Sequence, residues 1–249
     1  MARDDFIGIA FDALSMDEAT QRIAELSRDA RFSFVVTPNV DHAIKLSRSD
    51  GGRPIHSAYA KAAIVLCDSR ILAGLARRCG ISLSVVPGSD LTRELFTHTL
   101  KLGDRVVIIG ADTATIPALQ RRFPGPAYLQ HIPPMGFIRD AGAREAAAAF
   151  IEDSNANYAF LAVGFPQSEL LASDILDRGK AGGVALCIGA SIEFIIGAKQ
   201  RAPGWMQRLS LEWLFRLLSE PRRLWRRYLV DGPAIFAIVL RWKRTGRGV

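Results

Sequence analysis

One acid in the chain stands where proton transfer would be served. Asp68 follows AAIVLC (62–67), a run apolar enough for a central strand, so its carboxylate is expected at a strand's carboxyl end above an apolar floor. Partial desolvation there raises a carboxyl pKa and makes the group a better proton acceptor near neutral pH. The same residue suits the N-cap of a helix opening at Ser69, and residue type alone leaves base and cap level. Small and polar residues also end other apolar runs, at Thr37-Pro38-Asn39, Gly110-Ala111-Asp112, Gly164-Phe165-Pro166 and Gly189-Ala190-Ser191. Turns of that composition let a ligand approach backbone N–H groups. Patterns for other chemistries are missing: none of these turns reads G-x-G-x-x-G, and there is no Walker A motif, no His-x-x-x-His, no D-x-D pair and no serine elbow. His42, His56, His98 and His131 are scattered, and Cys67, Cys79 and Cys187 lack zinc-like spacing and read as buried, reduced thiols.

Such turns need a scaffold, and the pattern around them supplies one. With 249 residues and 49% apolar composition, the chain can bury a sizeable core. Short β-rich runs alternate with helical stretches: FIGIAF before SMDEATQRIAEL, FSFVVTP before a helix start at Asn39, AAIVLCD before SRILAGLARRCG. RVVIIGAD, NYAFLAVGFP and GVALCIGAS each lead into a helical pattern in the same way. Strand followed by helix, repeated, predicts a Rossmann-like α/β fold, an open parallel sheet with helices on both faces. Ligands of such sheets bind at the carboxyl ends of the strands, where these turns fall. The N-terminus carries acids within its short apolar run and does not read as a signal peptide. The run AIFAIVL (234–240) is far shorter than the roughly 20 residues a membrane span needs.

Charge divides the chain at about residue 200. From Arg201 onward eleven Lys and Arg face three acids, a net +8, which leaves residues 1–200 at −1 of the total +7. The basicity is concentrated in EPRRLWRRYL (220–229), where Arg222 with Arg226 and Arg223 with Arg227 have i,i+4 spacing and Trp225, Tyr228 and Leu229 lie between them. Pro221 is expected to open that helix, after a helical apolar pattern from Trp205 to Leu217. Residues 201–249 are therefore expected to form a basic amphipathic appendage on a Rossmann-like domain of residues 1–200, lying on an anionic membrane surface. Off the membrane, its apolar face would be disordered or covered by a second subunit in a homo-oligomer.

The blocks TPNVD (37–41), PGSDL (87–91), PPMGF (133–137), LAVGFPQSE (161–169) and GASIEFIIGAKQRAPGWMQRLSLEWLFRLLSEPRRLWRRYL (189–229) resemble the WecG/TagA/CpsF glycosyltransferase family, in order and spacing, over nearly the whole chain. The resemblance implies an inverting, metal-independent transferase without a cofactor, with residues 1–200 as its catalytic domain. It would move a hexose or N-acetylhexosamine from a UDP-sugar to a polyprenyl-diphosphate-linked saccharide in bacterial surface polysaccharide synthesis. Such an enzyme would be cytoplasmic, held at the inner face of the plasma membrane. Asp68 matches the family's proposed general base, and Thr37 and Asn39 its polar pair at the pocket entrance. Phe137 falls beside the expected uracil and Glu193 near the nucleotide. Gly164, Gln167, Glu169 and Gly189 line the implied substrate site. Arg216, Arg223 and Arg226 match the arginines expected to fold over the donor diphosphate.

This sequence departs from the family pattern at three places. Cys67-Asp68-Ser69 stands for Ala-Asp-Gly, Val85 stands where an arginine is common, and Ser168 replaces a glutamine, so that only Glu169 of that motif matches cleanly. These changes leave the reaction class alone and bear on sugar and acceptor identity. The alternatives are a module gripping nucleic-acid backbones through the tail, a nucleotide-sugar-binding protein without transferase activity, and an NAD-dependent oxidoreductase. No nucleic-acid-binding motif accompanies the tail, and the glycine fingerprint of the last is absent.

Overall fold

The computed structural model describes residues 3–49 and 54–246. Met1 and Ala2 of the N-terminal segment and Arg247 of the basic tail lie outside the described residues. The strands are β1 (Arg3–Phe6), β2 (Ile9–Asp12), β3 (Ser33–Val36), β4 (Ile64–Val65), β5 (Arg105–Gly110), β6 (Ala127–His131), β7 (Tyr158–Ala162) and β8 (Val184–Cys187). β3 to β8 form one six-stranded sheet in the order β4-β3-β8-β7-β5-β6, every pairing parallel. This is the Rossmann-like α/β architecture expected from the strand and helix alternation.

The central strands are apolar at successive positions because both sheet faces are covered. Along β5, Val107 and Ile109 join one core cluster while Val106 and Ile108 join the other; β7 divides Ala159 and Leu161 from Tyr158 and Phe160 in the same way. The first cluster is closed by helices Val40–Arg48, Pro54–Lys61, Arg70–Arg78, Ala141–Ser154, Gln167–Arg178 and Ala234–Arg244. Helices Met16–Leu26, Gly88–Glu94, Thr115–Arg122 and Ser191–Ile195 close the second.

Two expectations change on the sheet. FIGIAF is not one strand: Ile7 (φ 53°) and Gly8 (φ 77°) turn the chain back so that β1 and β2 pair antiparallel in a separate hairpin. Positive φ at both turn residues gives the tight reversal that suits paired strands. The run before Asp68 is not a central strand either, since β4 has two residues and lies at the sheet edge. It stays buried because the hairpin covers that edge: Asp12 accepts the Val65 N–H (2.8 Å), and Arg3 donates to the carbonyls of Ala62 (2.8 Å) and Ala63 (3.0 Å). The edge N–H and C=O groups are thereby satisfied without another strand.

Beyond residue 200 the chain runs through helices Gly204–Arg208, Glu212–Ser219 and Pro221–Trp225, a π-helical segment Arg226–Asp231, and helix Ala234–Arg244. The last helix is docked on the body: Ile235 and Val239 enter the first core cluster, and Trp242 meets the Phe6 ring edge-on at 5.4 Å. Among the described residues no helix is long and apolar enough to cross a membrane.

Candidate active site

Asp68 follows β4 at the carboxyl end of the sheet, beside the turn that follows β3. Its backbone N–H donates to the Pro38 carbonyl (3.1 Å), and Cys67 makes an isolated parallel bridge with Val85. The cap of helix Arg70–Arg78 is Ser69, whose hydroxyl accepts the Leu72 N–H at 3.2 Å. Asp68 is thereby free of the capping role. Its Oδ1 accepts the Gly88 N–H (2.8 Å), and its Oδ2 faces the Asn39 amide at 3.5 Å. Asn39 has two duties, because its Oδ1 also caps helix Val40–Arg48 by accepting the N–H groups of Asp41 (3.0 Å) and His42 (3.4 Å). Gly88 is required where it is: a Cβ there would stand 2.9 Å from the Thr37 hydroxyl.

The Asp68 carboxyl is half-buried and borders a cavity of about 340 Å³. Burial pushes its pKa up to about 6, against the Gly88 amide, Arg216 and Asn39, while Glu212 adds to the rise. The opposite wall belongs to the tail: Trp213, Arg216, Arg227, Tyr228, Ile235 and Phe236. Arg216 stacks over the Phe194 ring (5.3 Å) and lies 3.9 Å from Glu212; Arg227 lies 3.5 Å from Asp41 and over Tyr228. Burial works to raise Asp41, but Arg227 and Lys45 outweigh it and hold the carboxyl below its ordinary value. Among the described residues no group of three or more His, Cys, Asp or Glu side chains is placed to hold a metal ion. The positive charge on this wall is carried by guanidinium groups.

Of the residues expected from sequence, Asp68, Asn39 and Arg216 meet at the cavity. Thr37, Gly164, Gln167, Glu169, Gly189 and Glu193 lie along the neighbouring strand ends and helix starts, outside its lining. Thr37 is buried with its hydroxyl donating to the Cys187 carbonyl (3.4 Å), and Gly164 (φ 76°) and Gly189 (φ 52°) turn the chain out of β7 and β8. Gln167 donates to the Val163 carbonyl (3.1 Å) and leaves its buried Oε1 unpaired. Glu169 is 1% exposed with Oε2 unpaired, and burial pushes its pKa up to about 7 despite its own backbone amide and Lys45. Nearby, burial drives the His42 pKa down to about 3; the ring stacks on Phe165 at 4.5 Å.

Phe137 is buried in the first core cluster, away from the cavity. Arg223 and Arg226 are exposed and line no part of it. Arg223 pairs with Glu220 (2.6 Å), which lies 3.9 Å from Lys199, itself 2.6 Å from Glu193, so it connects to the strand ends only through a chain of charges. The faces of this segment are divided differently from the expectation. Leu224 is buried and Arg227 and Tyr228 turn to the cavity, while Arg226, Trp225 and Leu229 stay exposed. Arg227, Trp213 and Tyr228 are cavity residues that the i,i+4 pairing of the arginines did not single out; the i, i+3, i+4 spacing of Leu224, Arg227 and Tyr228 is the signal that groups two of them.

Comparisons with known proteins show the family. The model of the "Glycosyl transferase WecG/TagA/CpsF family" matches residues 5–248. The chain belongs to this family. It is accordingly a glycosyltransferase. Among its relatives is an N-acetylglucosaminyldiphosphoundecaprenol N-acetyl-beta-D-mannosaminyltransferase of Staphylococcus aureus strain MRSA252, 26% identical over 241 residues, spanning 90% of this chain and 88% of the relative. The protein of the same name from strain MW2 is 25% identical over 239 residues, with the same coverage of both chains. In this family member the acid and the tail guanidiniums border one cavity.

Proposed function

We propose that the protein transfers a hexose or N-acetylhexosamine from a UDP-sugar to a hydroxyl of a polyprenyl-diphosphate-linked saccharide, with Asp68 as general base. The observation that carries this reading is a carboxyl with a pKa near 6 bordering a cavity whose far wall holds Arg216 and Arg227. A base tuned close to neutral pH is ionised in the cell and still accepts a proton efficiently. Asp68 takes the acceptor hydroxyl's proton as that oxygen bonds to the anomeric carbon. The bond from that carbon to the phosphate oxygen breaks on the opposite face, and UDP departs with the electron pair. A single displacement of this kind inverts the anomeric centre. Guanidiniums stabilise the charge developing on the leaving diphosphate, which fixed cations in a water-poor site do effectively.

The names of the Staphylococcus aureus relatives support an acceptor on a lipid diphosphate and an N-acetylhexosamine as one donor sugar. Residues 201–249 are the appendage that completes the site on the domain of residues 1–200. Eight of the twelve exposed large apolar side chains of the described chain lie between Trp205 and Leu240, interleaved with arginines. That composition supports a peripheral seat on an anionic membrane. The turns at Gly164 and Gly189, with Gln167 and Glu193, form the rim along which the nucleotide would lie, above the buried Thr37 and Glu169.

The test is UDP release from a panel of UDP-sugars with and without a synthetic prenyl-diphosphate-linked acceptor. Release is expected only when both substrates are present. Asp68→Ala is expected to lower turnover by about 10²–10⁴-fold while UDP affinity is retained. Full activity in that variant would overturn the base assignment.

A further inference from the structure

We propose that a second cavity beside Asp68 is a diphosphate-binding site in which Arg70 grips the anion. This cavity, about 530 Å³, is bordered by Arg70, Arg93 and Arg201, with Asp90 and Glu94 as its acids. It shares Arg70, Pro87 and Gln207 with the Asp68 cavity, so Arg70 stands at the junction, two positions from the base. Val85 also faces it and offers no donor.

The cations around the two cavities are not equivalent. Arg93 is 2.8 Å from Asp90; Arg201 is hydrogen-bonded to the same Asp90 and lies 3.8 Å from Glu212. Arg216 and Arg227 are paired with Glu212 and Asp41. Arg70 alone among these five has no acid and no hydrogen-bond acceptor among the described residues. Asp90 is shared by two guanidiniums, which fixes both in place, and the lining's three arginines against Asp90 and Glu94 leave one positive charge in excess. The Nε of Arg201 is buried without a partner, a donor that a phosphate oxygen would satisfy. A free guanidinium fork beside two pre-positioned ones matches the oxygens of a diphosphate better than a single carboxylate.

The inference rests on the transferase reading for the identity of its ligand. That reaction joins two substrates that each carry a diphosphate, and the molecule has two arginine groups on different sides of Asp68. Arg216 and Arg227 face it from the tail, and Arg70 borders it from the body.

The test is calorimetric titration of the full chain with inorganic pyrophosphate, UDP and farnesyl diphosphate, for the native protein, Arg70→Ala and Arg70→Lys, with Arg77→Ala as a control. Arg70→Ala is expected to weaken pyrophosphate by about ten- to a hundred-fold, with an unchanged melting temperature and partial recovery in Arg70→Lys. A parallel loss for UDP assigns the site to the donor, and one for farnesyl diphosphate assigns it to the acceptor. Unchanged affinity for all three probes overturns the proposal. Because binding is read without turnover, a native protein that binds pyrophosphate through Arg70 but transfers no sugar sinks the functional reading and leaves this site standing.

Discussion

A carboxyl works as a base only while it is ionised, so the role proposed for Asp68 would tie activity to pH. With its pKa near 6, kcat/KM is expected to fall as pH drops through about 6 and to level off above it. A pH-rate profile checks this, and an acid limb near 4 would show that burial does not control the group. Glu169 makes the opposite kind of statement, about stability. Its folded pKa of about 7 lies above the ordinary 4.5, so between those values the unfolded chain gives up its proton while the folded chain keeps it. Stability is therefore lost as pH rises across that window, and the cost is complete above pH 7. Glu169→Gln is expected to raise the melting temperature at pH 8 and to leave it unchanged at pH 4.5. Equal shifts at both values would mean that the unpaired Oε2 is not the cause.

At the scale of elements, the site is built where the start of one helix touches the end of the next strand. Asn39 caps helix Val40–Arg48 with its oxygen and reaches Asp68 with its nitrogen. Two substitutions separate these duties. Asn39→Ser keeps a good cap and removes the amide donor, so stability is expected to hold while the acid limb moves to higher pH. Asn39→Ala loses both, with about 1 kcal/mol of stability gone from the cap. Thermal melts and pH-rate profiles of the pair check the assignment. The short edge strand β4 belongs to the same logic: its backbone is held by Asp12 and Arg3 of the hairpin, so the N-terminal residues help place Asp68 from a distance.

For the whole molecule, the tail is a wall of the cavity and the proposed membrane anchor. It supplies Arg216, Trp213 and Arg227 to the cavity, buries Ile235 and Val239 in the core, and is tied down by Arg48–Asp231 (3.0 Å) and Arg201–Asp90. Each fully buried aliphatic side chain contributes about 1.5–3 kcal/mol. Removing residues 201–249 is expected to leave the parallel sheet paired, to lower the melting temperature, and to abolish both transfer and sedimentation with anionic vesicles. Circular dichroism, a thermal melt and vesicle co-sedimentation read these effects; undiminished sedimentation of the truncated chain would remove the tail as the anchor.

The layered architecture is legible in the chain alone, because apolar runs that end in small polar turns and lead into helical patterns bury both faces of a parallel sheet in only one common way. The sequence also exposed Asp68 and the cationic tail, since a lone acid after an apolar run and a charge imbalance are local properties of the chain. It left unread the strand β6, half polar and at the sheet edge, and the division of FIGIAF into a hairpin, which depends on two positive φ angles. The partners of Asp68 were equally hidden: Gly88 is 20 positions away and Arg216 far beyond it, and only packing brings them together. The placement of the tail arginines was hidden too: Arg216 stands nearest the acid, while Arg227, three positions beyond the buried Leu224, lines the same cavity beside Asp41 and Arg226 stays outside. Spacing tells which side chains share a helix face, but which face meets the body is decided by contacts between distant segments, here those of the tail with helix Val40–Arg48.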